Sequence, residues 1–242
     1  MSVAGYPAAM PNRATGPTWD RVIERSPDAD GFSPARSGLS TQAIVDTAIT
    51  IADVDGLDAV SIRRVAAILD VRPMSLYTHI VSKDELLALM ANELIGTLII
   101  EEPLPDDWRE ALSVIARRTF RMFASHPWLV ALLAHRPRHG PNATLQAKQL
   151  ARAVESLRLP SEEMWTMLSI VNDYILGHAL RVATTGSTRD LVDNLTEQDR
   201  VELPGVAALA RTEETRIAGE VFELGLQAVL DGVEHRFVRG RR

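Results

Sequence analysis

The sequence predicts an all-α fold, and three observations carry that prediction. Apolar residues recur at three- and four-residue spacing along most of the chain from Ile44 to Val233. No segment shows the two-residue alternation of a half-buried strand, and no hairpin turn signal appears. Ser or a capping box stands ahead of several periodic runs. The expected architecture is an N-terminal three-helix helix-turn-helix unit followed by a larger helical body. Residues 1–38 read as a flexible tail, 39–84 as the helix-turn-helix unit and 85–242 as the body. No internal repeat is evident.

The tail is rich in Pro, Gly, Ser and Ala and has little periodicity. Within it, Trp19 to Arg25 has one or two helical turns' worth of pattern. Arg13, Arg21 and Arg36 are either solvated or a basic arm for phosphates. The first helix starts after the N-cap Ser40, carries Ile44, Val45, Ala48, Ile49 and Ala52, and stops at Gly56. A second, of about eight residues, follows Ser61 with Ile62, Val65, Ala66 and Leu69. A turn centred on Leu69-Asp70-Val71 leads into a third of about seven residues, whose first turn tolerates Pro73. Ser82-Lys83-Asp84-Glu85 is a capping box that opens a linking helix running to Ile100, with a stripe of Leu86, Leu87, Met90, Leu94 and Leu98.

Beyond Pro103 and Pro105 the pattern stays helical. Trp108, Leu112, Ile115, Thr119, Met122 and Phe123 share a face, with Arg109, Arg117, Arg118 and Arg121 turned mostly away. His126-Pro127 ends that helix. A short apolar piece from Trp128 to Ala134, a loop from His135 to Pro141 and an amphipathic stretch from Asn142 to Leu157 follow. Ser161 starts a strong helix to about Thr184, 185–213 reads as a long loop with marginal helical pieces, and a final helix covers Glu214 to His235.

Composition narrows the function classes. The chain has no cysteine, which removes disulfides and thiolate metal sites and fits a reducing compartment. No apolar run is long enough to span a membrane, and the first residues lack the basic and apolar regions of a secretory signal. A cytoplasmic protein with no membrane partner is expected. The net charge of −6 weighs mildly against a nucleic-acid partner, but the sum over the chain is the wrong quantity if one small face meets DNA. Between Ser61 and Lys83 the cations are Arg63, Arg64, Arg72 and Lys83, against the single acid Asp70.

Two helices as short as those after Ser61 and Val71 are unstable alone in water. They persist by packing on the first helix through Val65, Ala66, Leu69, Val71 and Leu76. That leaves Arg72, Pro73, Met74, Ser75, Tyr77, Thr78 and His79 on a face that a major groove can admit.

At these residues the chain resembles the TetR family of repressors. The likeness rests on Leu57 to Ala67, on Val71-Arg-Pro-Met-Ser-Leu-Tyr-Thr-His-Ile80 and on Ser82-Lys-Asp-Glu-Leu-Leu87, and it spans about Ser40 to Leu87. The family usually has Gly in the turn; here Asp70 stands there, one of the few other residues that tolerate a left-handed backbone. The resemblance implies an Ω-shaped homodimer with a DNA-binding foot on each subunit and a helical ligand-binding body above. By chemistry and matching position, Tyr77 and Lys83 contact phosphates, and His79 does the same or braces Tyr77. Arg63 reaches a guanine edge, while Met74, Ser75 and Thr78 touch base edges or thymine methyls. Tyr77 has a half-core alternative, Arg64 reads as a surface charge, and Arg72 as either.

In the body, apolar residues from Trp165 to Leu180 surround one helix, and Ile217 to Val233 does nearly the same. Helices 161–184 and 214–235 from two subunits would form a four-helix bundle; a larger monomer core is the alternative. The run from Phe222 to Gly232 resembles the closing segment of the tetracycline-repressor-like branch. The candidate effector pocket takes Ile115, Thr119, Phe123, His126, Trp165, Leu168, Asn172 and Ile175, with His178 as a further polar group, and suits a small, mostly apolar effector. Thr97-Leu98-Ile99 and Val114-Ile115 replace the groups that hold tetracycline and Mg²⁺ in that repressor, so this ligand is not expected. Pro137 between His135 and His139 argues against a zinc site, and no metal or cofactor is assigned.

The resulting expectation is a ligand-responsive repressor that binds a near-palindromic double-stranded operator as a homodimer. An enzyme would need a nucleophile–base pair, a glycine-rich phosphate loop or a ligand cluster, and none is legible. A helical protein-interaction module is the remaining rival.

Overall fold

The computed structural model describes residues 39–135, 140–183, 196 and 218–241. The tail, with Arg13, Trp19, Arg21 and Arg36, lies outside them. So do most of the loop that includes His139, the segment after Ala183 save Thr196, and the first turn expected of the final helix.

Among the described residues there are nine α-helices and no strand. The first, α1 (Thr41–Asp55), is capped by Ser40, whose hydroxyl accepts the Ala43 N–H at 3.1 Å. It ends at Gly56, where φ is +83° and a side chain would be strained. A 3₁₀ turn (Leu57–Ala59) leads to α2 (Ile62–Ile68), capped by Ser61 through the Arg64 N–H. Asp70 then takes φ +53°, the left-handed turn conformation anticipated for it. α3 (Pro73–Leu76) is shorter than the seven residues expected: one α turn, after which Tyr77, Thr78 and His79 close tighter three-residue hydrogen bonds. The missing length follows from Ile80, which must turn inward and is fully buried beside Leu76.

The core of α1–α3 consists of Ile44, Val45, Ala48, Ile51, Ala52, Val65, Ala66, Leu76 and Ile80. Each of the short helices contributes only one or two of these, so α2 and α3 depend on α1 for their stability.

α4 (Lys83–Gly96) opens at the capping box. The Ser82 hydroxyl accepts the Glu85 N–H at 3.1 Å, but Glu85 accepts the N–H of Val81, one residue earlier than the reciprocal bond expected. The helix stops at Gly96 and not at Ile100. Its burial also exceeds a stripe, because Ala88, Leu89, Ala91 and Ile95 are covered as well as Leu86, Leu87, Met90 and Leu94. One side meets α1 and another meets α7 (Pro141–Ala153).

α5 (Trp108–Ser125) is capped by Asp107 and buries the predicted face from Trp108 to Phe123. α6 (Trp128–His135) and α7 follow, and α7 gives way at Val154 to a 3₁₀ turn (Glu155–Leu157) in place of one continuous helix to Leu157. α8 (Ser161–Ala183) packs on α5 and on α9 (Ala218–Val233). Past Val233 the chain continues through a π-helical turn (Glu234–Val238) and a 3₁₀ turn (Arg239–Arg241), so the helical stretch runs beyond His235.

Candidate nucleic-acid interface

Three side chains fix the orientation of α3. Leu76 and Ile80 anchor it from below, and Pro73 at its first position sets φ without wasting an N–H. The residues between the anchors point outward. Met74 is 74% exposed and Tyr77 47%, so about half of the tyrosine surface is open to solvent. Arg72, Pro73 and Thr78 are exposed too, with Ser75 and His79 half-buried. The Thr78 hydroxyl donates to the Ser75 carbonyl at 2.7 Å, so its methyl and lone pairs remain outward. Arg63 and Lys83 are exposed on α2 and at the start of α4. Arg64 instead donates to the Asp55 carboxylate at the end of α1.

These groups form a convex ridge one helix wide, bearing cations, hydroxyls and an exposed thioether. It has the size and polarity for a major groove.

The candidate effector residues are only partly brought together. Ile115, Thr119, Phe123 and Ile175 are buried between α5 and α8, with Leu168 beside them. Thr119 spends its hydroxyl on the Ile115 carbonyl at 2.9 Å. Trp165 and Asn172 are corrections. Trp165 is 72% exposed and Asn172 is exposed, because the inward face of α8 is set by Met167, Val171, Ile175, His178 and Ala179. The helix expected to be covered on all sides is thus half bare within one chain: Ile170 and Leu180 are exposed on it, and Leu224 on α9. His126 is a correction as well. It turns toward α1, where its Nδ1 lies 2.7 Å from an oxygen of Asp53.

Several residues carry structure that the sequence pattern did not assign. Phe120 stacks on Phe222 with centroids 4.2 Å apart, and Tyr174 and the buried His178 close around the pair. The Tyr174 hydroxyl donates to the Phe222 carbonyl at 2.8 Å, and burial pushes its pKa up.

Arg109 and Arg117 were expected to face away, but they tie α5 to α9. Arg117 meets Glu223 through two hydrogen bonds of 2.8 and 2.5 Å. That bonding, opposed by some desolvation and helped by Gln227, holds the Glu223 pKa down to about 2. Arg109 reaches Gln227, Asp231 and Glu234. A groove of about 1070 Å³ opens elsewhere, between the α4–α5 connection and α7; its walls include Glu101, Glu102, Lys148 and Arg152.

Comparison with known proteins places this geometry. The model of the tetracyclin repressor-like C-terminal domain matches residues 102–237, more than half of the chain. The chain belongs to the TetR family.

Curated relatives agree with the assignment. The HTH-type transcriptional repressor DrrR1 of Streptomyces coeruleorubidus is 29% identical over 210 residues, covering 81% of this chain and 77% of the relative. An HTH-type transcriptional regulator of Saccharopolyspora erythraea is 27% identical over 159 residues, covering 64% and 67%. The TetR family protein ActR of Streptomyces coelicolor, solved with actinorhodin, superposes with a TM-score of 0.67 at 27% identity, covering 82% of this chain and 96% of ActR. This TetR-family chain is therefore a transcription regulator and not an enzyme. None of its described helices is long and apolar enough to cross a membrane.

Proposed function

We propose that this protein is a cytoplasmic, homodimeric repressor whose α3 ridge reads an operator and whose body releases it on binding a small, mostly apolar effector. The observation that carries the reading is the inversion at α3. Leu76 and Ile80 are fully buried while Arg72, Met74, Tyr77 and Thr78 stand outward, so α3 and the residues that flank it turn most of their side chains to solvent. In this reading residues 39–84 bind DNA, and residues 85–242 bind the effector and dimerise.

Lys83 and Tyr77 hold phosphates, the lysine beside the N-terminus of α4, and His79 braces the tyrosine or joins it. Arg63 and Arg72 supply guanine or phosphate contacts. Met74, Ser75, Thr78 and the Pro73 ring meet base edges and thymine methyls. The exposed Trp165, Ile170, Leu180 and Leu224 favour pairing of α8 and α9 with their copies about a two-fold axis. Two ridges about 34–36 Å apart would then read successive turns of a near-palindromic site. The face of Ile115, Thr119, Phe123, Leu168 and Ile175 suits an apolar effector, and ActR, which shares the fold, was solved with actinorhodin.

Bandshift titration with the DNA upstream of the protein's own gene, at two or more salt concentrations, tests the reading. Lys83→Ala should weaken binding and reduce the slope of log affinity against log salt by about 1.8 for the dimer, about 0.9 for the one phosphate that each subunit gives up. Tyr77→Ala should weaken binding without unfolding the chain. Full affinity in the Tyr77→Ala/Lys83→Ala double variant would remove the assignment.

A further inference from the structure

His126, Pro127 and Trp128 join α5 to α6, and the structure turns this corner into a fork with two N–H donors. The His126 backbone (φ −131°, ψ 68°) leaves the helical region ahead of Pro127, and Trp128 starts α6 with its ring in the core. Both heterocycles reach the same atom. His126 Nδ1 and Trp128 Nε1 each lie 2.7 Å from Oδ1 of Asp53, and a carboxylate can only accept, so both rings donate. Asp53 stands in the last turn of α1, more than 70 residues earlier in sequence, on the helix that carries the core under α2 and α3.

A second connection between this unit and the body is α4, and its far end is pinned. The Asn142 N–H donates to the Asn92 side chain at 3.1 Å, and Asn142 Nδ2 donates to the Asn92 carbonyl at 2.9 Å. Gln149 accepts the Ile100 N–H and donates to the Leu98 carbonyl, while Arg118 donates to the Thr97 carbonyl. Those side-chain hydrogen bonds lie toward the distal end of the helix, so they hold the angle of the unit less directly than a contact on α1 does. The Asp53 bonds oppose a change of that angle from a second direction.

We propose that Asp53 is a latch residue: its carboxylate, held by His126 and Trp128, sets the angle of the α1–α3 unit against the body and through it operator affinity. α5 is the natural input, since Phe123 lies one turn before His126 on an 18-residue helix that also bears Ile115 and Thr119. A displacement of α5 by a ligand against those residues reaches Asp53 through a rigid rod and a proline-fixed corner. The latch acts as a positioning device, and it rests on the regulator reading above.

The absence of cysteine permits a direct test. Met74→Cys and Lys148→Cys, both at exposed positions, place spin labels on α3 and α7 of one chain. Dilution with unlabelled chain isolates the intrachain distance for pulsed electron spin measurement. The latched protein should give one narrow distribution. Asp53→Ala, and separately His126→Ala with Trp128→Phe, should broaden or shift it alike, and combining them should add nothing further. Trp128→Phe keeps the buried ring, and circular dichroism checks that each variant is helical. Binding of the upstream DNA, measured with the same Asp53, His126 and Trp128 substitutions in chains that keep Met74 and Lys148 and carry no label, should change by about 5-fold or more, the lower end of ordinary coupling between sites. An unchanged distance distribution in a folded Asp53→Ala protein overturns the latch. A changed distribution with unchanged DNA affinity overturns its link to the operator. Failure of the unsubstituted protein to bind DNA would instead sink the regulator reading, because the distance measurement needs neither DNA nor effector.

Discussion

Gly225 faces the ring of Tyr174, and the cost of filling that contact can be worked out in advance. A Cβ at position 225 would lie 2.7 Å from Cζ and 2.8 Å from Cε2 of Tyr174, with the hydroxyl closer still. Carbon atoms pack at about 3.5–4.0 Å, so the ring must retreat by roughly 1 Å. It has little freedom to do so, being stacked at 5.6 Å on Phe222 and bonded to the Phe222 carbonyl. Overpacking of this kind costs about 1–3 kcal/mol, and loss of the hydrogen bond about 1 kcal/mol more. Alanine in place of glycine inside α9 returns about 1 kcal/mol of helix propensity. Gly225→Ala should therefore destabilise by about 1–3 kcal/mol, measured by urea denaturation at fixed chain concentration. Tyr174→Ala should remove both the clash and the hydrogen bond that Gly225→Ala disturbs, so the double variant should be better than the sum of the singles by about 2–4 kcal/mol. A Gly225→Ala protein as stable as its parent, or strict additivity, would refute the reasoning.

Two further predictions concern stability. Glu223 is held at about 2 in the folded chain against 4.5 for the free group, so it stabilises fully above pH 4.5 and loses that contribution as pH falls toward 2. Because Glu223 and Arg117 are 40% and 41% exposed, solvent screening reduces the pair to about 0–1 kcal/mol; Glu223→Gln should flatten the acid limb of melting temperature against pH by a matching amount. Asp70 occupies φ +53°, so Asp70→Gly should raise stability by up to about 1 kcal/mol and Asp70→Val should lower it, both read from thermal melts.

Local signals carried the N-terminal unit well. Ser40, Ser61 and Ser82 cap where capping chemistry requires, and Gly56 and Asp70 mark the two left-handed positions. The body was legible as helices but not as faces. Helical spacing says which residues share a side, and only tertiary packing decides which side looks inward. On α8 the bulk of Trp165 suggested a pocket wall, yet Met167, Val171 and Ile175 won the interior and left Trp165 bare. An apolar residue does not announce whether its partner belongs to the same chain or to another. His126 beside a proline looked like a loose polar group near the pocket, because its partner Asp53 is distant in sequence and nothing local points to it. Helical spacing turns Arg109 and Arg117 away from the apolar face of α5 without naming their partners, because Glu223 and Asp231 become neighbours only after α9 docks.

The two hydrogen bonds that Asn142 donates to Asn92 have a corollary for how this chain can drift in sequence. A methyl at Gly96 would come within 2.5 Å of Asn142 Nδ2, so the bare backbone at 96 and the amide at 142 are two halves of one fit. Either can change only in step with the other. Lineages that fill position 96 should be those that trim position 142, and a lone substitution at either should appear first as a loosened seat for the long helix rather than as damage to the surface that meets DNA.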